Sequence, residues 1–206
     1  MEDVLAVYRL AHDPRFPVVC MAESSKQLVG EVRAPIPAAP GRGQIVDHAY
    51  VRHGVATLLV EVEPLAGRRH VEVTERRTRQ DWARFIKAML DERYPAASKV
   101  RLVVDNLNLH DLASRYETFP PAEARRLADR VEIHYTPTHG SWLNIAEIEL
   151  SALRGQCLAR RLPDLATMRR EVSAWLKHRN PRGAPIHWRF TTDAAPIKLL
   201  RLYPKL

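Results

Sequence analysis

The sequence has few of the residues that mark secreted, zinc-binding or membrane-embedded proteins. Its 206 residues include only two cysteines, Cys20 and Cys157, which are far apart in the chain and lie among apolar residues. Two such cysteines make neither a disulfide framework nor a zinc site, and they fit a reducing cytoplasm. Because no run of about 18 apolar residues is present, we expect no transmembrane helix and no membrane partner.

We also expect no signal peptide. The first residues, MEDVLAVYRLAHD, are acidic at once, and no apolar stretch leads to a small-residue cleavage site. The length suits one domain with its own core and short appendages. We expect residues 18–180 to form that domain. Residues 1–17 would be an N-terminal helix and linker, and residues 181–206 a tail packed on the domain or extending from it.

The chain has fewer acidic than basic residues. Lys and Arg number 32 against 24 Asp and Glu, which gives a net charge of +8 and a pI near 9.9. Most of the positive charge is arginine, whose guanidinium fork matches phosphate oxygens. A basic domain suits a partner with a phosphate backbone, although charge alone leaves open a basic protein that binds no nucleic acid.

Hydrophobic patterning predicts an initial set of strands followed by alternating helices and strands. Apolar runs predict strands at residues 18–21, 55–62, 70–73, 100–104 and 131–135, with the second and third as an antiparallel hairpin. Amphipathic periodicity predicts helices at residues 1–10, 80–94, 141–157 and 165–176, the third with Ser141 as its N-cap. This order predicts an α/β fold in which helices flank a mixed sheet.

Two carboxylates lie at positions that are typical of catalytic or metal-binding residues. Asp105 ends an apolar strand, and ligands bind at the polar ends of central strands in α/β sheets; the alternative is a turn formed by Asp105 and Asn106. Glu147 falls at the edge of the apolar stripe of its helix, where a carboxylate is costly unless it is paired or binds a cation. The alternative is a glutamate that reaches water. The same periodicity directs Glu149 toward solvent.

Several segments resemble motifs of the bacterial insertion-sequence transposases related to the mariner group, which are DDE enzymes. TPTHGSWLNIAE (136–147) resembles the motif around their third metal-binding carboxylate, and LVVDNLNLH (102–110) resembles the second. VVCMAE (18–23) is similar to the first-strand motif, except that the family has Asp where Ala22 stands. Similar segments at 64–78 and 188–204 extend the resemblance over nearly the whole chain.

The resemblance implies an RNase H-like fold, with three antiparallel strands and then parallel strands in a five-stranded sheet. It implies metal-dependent cleavage and strand transfer at transposon ends, with two Mg²⁺ or Mn²⁺ ions about 3.5–4 Å apart. Asp105 and Glu147 take the second and third ligand places, but Ala22 has no oxygen to offer. Glu23 faces the other side of its strand, and Asp47 lies in a loop. The chain is therefore expected to be catalytically inactive, with weakened metal binding.

The resemblance also implies partners. These are double-stranded DNA, at transposon ends and at the target, and a second copy of the chain on that DNA, in the bacterial nucleoid. The residues best suited to contact DNA are Arg76, Arg77, Arg79, His139, Trp142 and Asn144. Further candidates are Arg68, Arg69, Arg125, Arg126, Arg160, Arg161 and His110. For any single one of them, a solvated surface is the alternative.

Other interpretations remain open. The roughly 17 residues before the first strand are too few for the helix-turn-helix domains that read transposon ends in such proteins. Recognition of the transposon ends is therefore expected to come from elsewhere, either from a removed part of the protein or from a separate reading frame. A second hypothesis is a non-catalytic DNA-binding or dimerisation module derived from a transposase. A different RNase H-like nuclease is a third hypothesis, against which the TPTHGSWLN motif argues. Ala22 could also be an ordinary small core residue.

Overall fold

The structure is a computed structural model that describes residues 1–105 and 113–195. In this part of the chain the strands are Val18–Glu31 (β1), Tyr50–Glu63 (β2), Arg68–Thr74 (β3), Val100–Val104 (β4) and Val131–Tyr135 (β5). They form one sheet in the order β3-β2-β1-β4-β5. The first three strands pair antiparallel, whereas β4 pairs parallel with both β1 and β5. The predicted RNase H-like mixed sheet is confirmed.

Helices flank this sheet. In the described residues they are Glu2–Tyr8 (α1), Arg79–Ala88 (α2), Ala113–Thr118 (α3), Pro121–Asp129 (α4), Ala146–Leu153 (α5) and Leu165–Arg179 (α6). A capping box between Thr78 and Asp81 fixes the start of α2. Both α2 and α5 continue into a π-helical turn, Met89–Arg93 and Arg154–Leu158 respectively. The helix predicted at residues 80–94 therefore matches α2 and its turn.

Side chains of β1 alternate between two cores on opposite faces of the sheet. Val19 and Met21 pack with α2 on one face, while Cys20 and Ala22 pack with α5 and α6 on the other. The predicted stripe of α2 and its turn is buried in the first core: Trp82, Phe85, Ile86, Met89 and Leu90. The predicted stripe around α5 is also buried: Leu143, Ala146, Leu150, Leu153 and Cys157. Because β1 contributes side chains to both cores, its register determines which of these side chains lie on each face of the sheet.

The strands β1 and β2 extend far beyond their predicted ends. β1 pairs with β4 only over Val18–Met21, but its pairing with β2 runs on until Glu31 lies opposite Tyr50. Residues 27–55 therefore project from the sheet as a two-stranded extension, called the arm below. Apart from Leu28, which is buried at the base of the arm, most of its large apolar side chains are exposed, which is why hydrophobic patterning did not reveal it.

The N-terminal helix packs on the sheet. Its buried residues are Val4, Leu5 and Val7. Asp3 Oδ2 lies 2.9 Å from His134 Nδ1 of β5, and the Tyr8 hydroxyl donates to the Leu143 carbonyl at 2.9 Å. In the tail, the Trp188 ring centroid lies 5.3 Å from that of Tyr8. The segment predicted as a helix and linker thus contacts the domain along its helix, and the domain boundaries stay a prediction.

Both cysteines are buried free thiols. Burial of Cys20 raises the pKa of its thiol to about 12, so it is protonated at neutral pH. Across residues 1–105 and 113–195, no helix is both long enough and apolar enough to cross a bilayer.

Candidate active site

Ala22 and Asp105 lie side by side where the parallel pairing of β1 with β4 ends. The register of β1 and β4 pairs Met21 with Val104, so the next residue along each strand is Ala22 or Asp105. Adjacent strands lie about 4.8 Å apart. Val103, two residues before Asp105, shares the core that contains Ala22, so both positions open toward α5. The methyl group of Ala22 is fully buried there.

Glu147 approaches the same edge from the first turn of α5. Its side chain is half-buried, and among the described residues it has no hydrogen-bond or ion-pair partner. Burial raises the pKa of Glu147, and the negative charge of Asp105 raises it further, while Arg154 partly offsets both effects. The two carboxylates are thus close enough to repel each other. The structure brings the positions of Ala22, Asp105 and Glu147 together, as the motifs predicted.

Two side chains of the described residues donate to the carboxylate of Asp105. Thr136 Oγ1 donates to Asp105 Oδ1 at 3.3 Å, and Asn144 Nδ2 donates to the same oxygen at 3.2 Å. Thr136 is placed by its own backbone N–H, which donates to the Val104 carbonyl at 3.0 Å. Asn144 is only 1% exposed. Its amide, predicted to contact DNA, faces the carboxylate site instead of the surface of the chain.

The helix α5 begins five residues later than predicted. Ser141–Leu143 form a 3₁₀ turn, Asn144 has an extended backbone with φ −80° and ψ 113°, and the helix starts at Ala146. The prediction that Ser141 caps one continuous helix was therefore wrong. The physical reason is the side chain of Asn144, whose bonds to neighbouring backbone and side-chain groups compete with helical bonding.

The prediction that Glu149 faces solvent was also wrong. Glu149 is 1% exposed, and its Oε2 lies 2.9 Å from Arg69 Nε and 2.7 Å from Arg179 Nε. Burial alone would raise the pKa of Glu149, but Arg179 and Arg69 outweigh it and hold the pKa below its usual value. Helical periodicity shows that Glu149 lies off the apolar stripe. It cannot show that β3 and α6 cover that side of the helix.

Most of the arginines predicted to contact DNA make ion pairs within the chain. Arg69 is buried against Glu149, and Arg77 Nε lies 2.5 Å from Glu23 Oε2. The other pairs are Arg79–Glu117, Arg125–Asp129, Arg126–Asp91, Arg126–Glu123, Arg160–Glu171 and Arg161–Glu31. Burial removes Arg69 from the set that can reach DNA. His110 lies outside the described residues.

Three of the predicted DNA contacts are exposed near the carboxylate edge. His139 and Trp142 lie on the turn between β5 and α5, His139 with an uncommon φ of 61° and Trp142 with 46% of its surface exposed. Arg76 is exposed in the segment between β3 and α2, and within the described residues it has no ion pair. Its neighbour Arg77 reaches Glu23, the residue after Ala22, which places this segment at the same end of the sheet, with Arg77 on the face opposite to Ala22.

The described residues contain no group of three or more His, Cys, Asp or Glu side chains that could hold a metal ion. Asp105 and Glu147 offer two mutually repelling carboxylates, which suit one hard divalent cation. A two-ion site needs a further ligand at position 22, where the side chain is a methyl group. The residues present therefore fit one ion and not two.

Comparison with known families matches residues 17–169 to the family model described as DDE superfamily endonuclease. The chain belongs to this family. The match includes the positions of Ala22, Asp105 and Glu147, so the predicted DDE domain is confirmed. No curated protein matches the chain.

Two solved structures share the fold of this DDE domain. "Mos1 transposase paired-end complex with left transposon end" is 15% identical with a TM-score of 0.53, over 79% of this chain and 48% of that chain. "Crystal structure of the Mos1 Strand Transfer Complex" is 14% identical with a TM-score of 0.55, over 82% of this chain and 50% of that chain. The DDE domain thus spans about half the length of these Mos1 transposase chains.

The substitution Glu147→Gln should stabilise the DDE domain at pH 7, because it removes a negative charge beside Asp105. A carboxyl group whose pKa is raised on folding opposes folding when it is ionised. The gain should therefore be present at neutral pH and vanish below the usual glutamate pKa of about 4.3. Urea unfolding at pH 7 and at pH 3.5 should show a gain of roughly 0.5 kcal/mol at the higher pH only.

The matched control is Glu149→Gln, which should act in the opposite direction. It leaves the buried Arg69 uncompensated and should cost about 3 kcal/mol at pH 7. Because the pKa of Glu149 is lowered on folding, the advantage of the unmodified chain should shrink as the pH falls through that lowered pKa. Two variants that shift stability in the same direction at pH 7 would contradict these assignments.

Proposed function

We propose that this chain is the catalytic domain of a DNA transposase that has lost its first metal-binding carboxylate and does not cleave DNA. One observation carries the proposal: Ala22 is buried beside Asp105, in the register where the first strand meets the second carboxylate. Membership of the DDE superfamily endonucleases and the fold shared with Mos1 transposase support the reaction class.

Cleavage and strand transfer in such a site rely on Mg²⁺ or Mn²⁺ to activate the attacking oxygen and stabilise the leaving oxygen. Asp105 and Glu147 would hold the metal, and the methyl group of Ala22 supplies no third ligand. Glu23 is not positioned to replace it, because it faces the opposite side of β1 and pairs with Arg77. The chain retains two of three ligands and binds metal weakly.

A second candidate is a non-catalytic DNA-binding or dimerisation module derived from a transposase. The complete burial of Ala22 favours it, since a methyl group in a packed core needs no other function. In that case Asp105 and Glu147 have no metal-binding function. The two candidates differ in whether adding the missing carboxylate creates metal affinity.

The substitution Ala22→Asp should restore Mn²⁺-dependent nicking of supercoiled DNA. Without metal, the variant should be less stable than the unmodified chain, because a third buried carboxylate is added beside two others. Mn²⁺ at 100 times its dissociation constant should then stabilise the variant by about 2.7 kcal/mol. Gel assays of nicking and thermal unfolding with and without Mn²⁺ measure both effects.

Two controls isolate the added carboxylate. Ala22→Asn adds similar volume without the charge and should give no nicking, and Ala22→Asp combined with Glu147→Gln should lose both nicking and Mn²⁺ stabilisation. An Ala22→Asp variant that is folded but neither binds Mn²⁺ nor nicks DNA would contradict the transposase proposal and favour the non-catalytic module.

We further propose that the domain binds duplex DNA through phosphate contacts at the edge formed by Arg76, His139 and Trp142. Such binding would keep the protein on chromosomal DNA in the bacterial nucleoid. Arg76→Ala should weaken binding to the same extent for DNA duplexes of different sequence. It should also reduce the slope of log affinity against log salt concentration by about one. Fluorescence anisotropy at several salt concentrations measures both quantities.

The matched control is Arg125→Ala, because Arg125 on α4 is exposed like Arg76 but is paired with Asp129. It should change affinity and salt slope little. Equal effects of the two substitutions would show that the carboxylate edge is not the DNA-binding surface.

We also propose that two copies of the chain act together on DNA, with the arm as their contact. The arm exposes several large apolar side chains: Val32, Ile36, Ile45, Val46, Tyr50, Val51 and Val55. An exposed apolar patch of this kind marks an interaction surface. Val51→Glu should shift the DNA-bound protein toward monomer in analytical ultracentrifugation, whereas Leu10→Glu, at an exposed residue outside the arm, should not. An unchanged dimer in Val51→Glu would exclude the arm.

A further inference from the structure

Asn144 occupies the junction between the 3₁₀ turn and α5. Its backbone is extended, so it belongs to neither helix, and its side chain is buried. Nδ2 donates to the Met21 carbonyl at 2.8 Å and to Asp105 Oδ1 at 3.2 Å, and Oδ1 accepts from the backbone N–H of Ala146 at 3.1 Å. One amide group therefore joins three separate segments of the chain.

The partners of Asn144 determine which way its amide points. The Met21 carbonyl can only accept and the Ala146 N–H can only donate, so the nitrogen must face Met21 and the oxygen must face Ala146. The second hydrogen of Nδ2 then meets Asp105 Oδ1, which must be an acceptor. Both hydrogens and the oxygen are used, and a flipped amide would lose all three bonds.

The three partners of Asn144 lie either at one of the three metal-ligand positions or one residue before it. Met21 precedes Ala22, Ala146 precedes Glu147, and Asp105 is bonded directly. We propose that Asn144 is a positioning residue that sets the spacing of the three metal-ligand positions. This inference rests on the proposed function, and it assigns to Asn144 a role inside the site in place of the DNA contact that the sequence predicted.

The backbone around Asn144 is also fixed from the N-terminal side. The Tyr8 hydroxyl donates to the Leu143 carbonyl at 2.9 Å and accepts from the Ile145 N–H at 3.3 Å. These bonds hold the residues on both sides of Asn144. The backbone of Asn144 is therefore held in place, and its side-chain amide reaches its partners without a rearrangement.

Thr136 is a natural comparison because it performs only part of this role. Its hydroxyl donates to the same Asp105 oxygen at 3.3 Å but bonds neither β1 nor α5 through its side chain. Groups that orient metal ligands contribute about 10–100-fold to metal affinity. Loss of Asn144 should approach the upper part of that range, since it affects three positions, and loss of Thr136 should fall in the lower part.

The test uses the full chain with Ala22→Asp, and Mn²⁺ affinity measured by electron paramagnetic resonance. Adding Asn144→Ala should weaken Mn²⁺ binding by about 30–100-fold, and adding Thr136→Val by about tenfold or less. The nicking rate at saturating Mn²⁺ should also remain reduced in Asn144→Ala, because the geometry is disturbed as well as the affinity. If Asn144→Ala is unfolded, Asn144→Ser keeps a small donor and acceptor and should give an intermediate loss.

The matched control is Asn180→Ala, which removes another bridging amide. Asn180 Nδ2 donates to the Arg69 carbonyl at 2.9 Å, and its Oδ1 accepts from the Arg69 N–H at 3.0 Å, and neither bond involves Met21, Asp105 or Ala146. It should lower the stability of the Ala22→Asp chain without weakening Mn²⁺ binding. Equal Mn²⁺ losses in Asn180→Ala and Asn144→Ala would mean that Asn144 acts only through general stability.

A second measurement needs no metal. In the chain with Ala22, Asn144→Ala should speed hydrogen exchange at the Ala146 amide by about tenfold relative to Asn180→Ala. Unchanged exchange, or Mn²⁺ affinity within twofold of Ala22→Asp alone, would overturn the positioning role while leaving the proposed function intact. If Ala22→Asp itself binds no Mn²⁺, the proposed function fails, and the inference about Asn144 falls with it.

Discussion

The pairing of β1 with β4 is the constraint on which the rest of the structure depends. Only Val18–Met21 of β1 take part, yet this short parallel contact joins the antiparallel strands to β4 and β5. A slip of one residue would turn Ala22 away from Asp105 and exchange the side chains of the two cores. Because the hydrophobic pattern of the whole strand sets this register, a change of the single side chain at position 22 leaves the strand pairing around the site in place.

The absence of a carboxylate at position 22 alters the electrostatics of the domain as well as its chemistry. Asp105 and Glu147 already repel each other, and a third carboxylate would add to that repulsion whenever metal is absent. With Ala22 in place, the metal-free fold avoids that cost, and Thr136 and Asn144 keep Asp105 in position. The domain thus combines a preserved site with a more stable metal-free state.

Local patterns predicted the features that depend on local sequence. The apolar stripe of α2 and the strands of the sheet followed from periodicity, and motif resemblance predicted Asp105 and Glu147 as metal ligands, which stays a prediction. Features that depend on distant partners were missed: Asn144 bonds Met21, 123 residues earlier in the chain, and Glu149 is covered by Arg69 and Arg179 from two other elements. A helical pattern shows which side of a helix is apolar, but the surroundings of its polar side are set by tertiary packing.

The arm has a consequence for the dynamics of the domain. Beyond Met21, β1 has lost its β4 neighbour, and near its base the arm is tied down by the Val29 N–H, which donates to the Leu162 carbonyl at 2.8 Å. A two-stranded ribbon is only marginally stable by itself, so the outer part of the arm opens at a lower free energy than the sheet. The carboxylate edge can therefore stay rigid while the outer part of the arm samples other positions, so movement of the arm leaves the geometry around Asp105 and Glu147 unchanged.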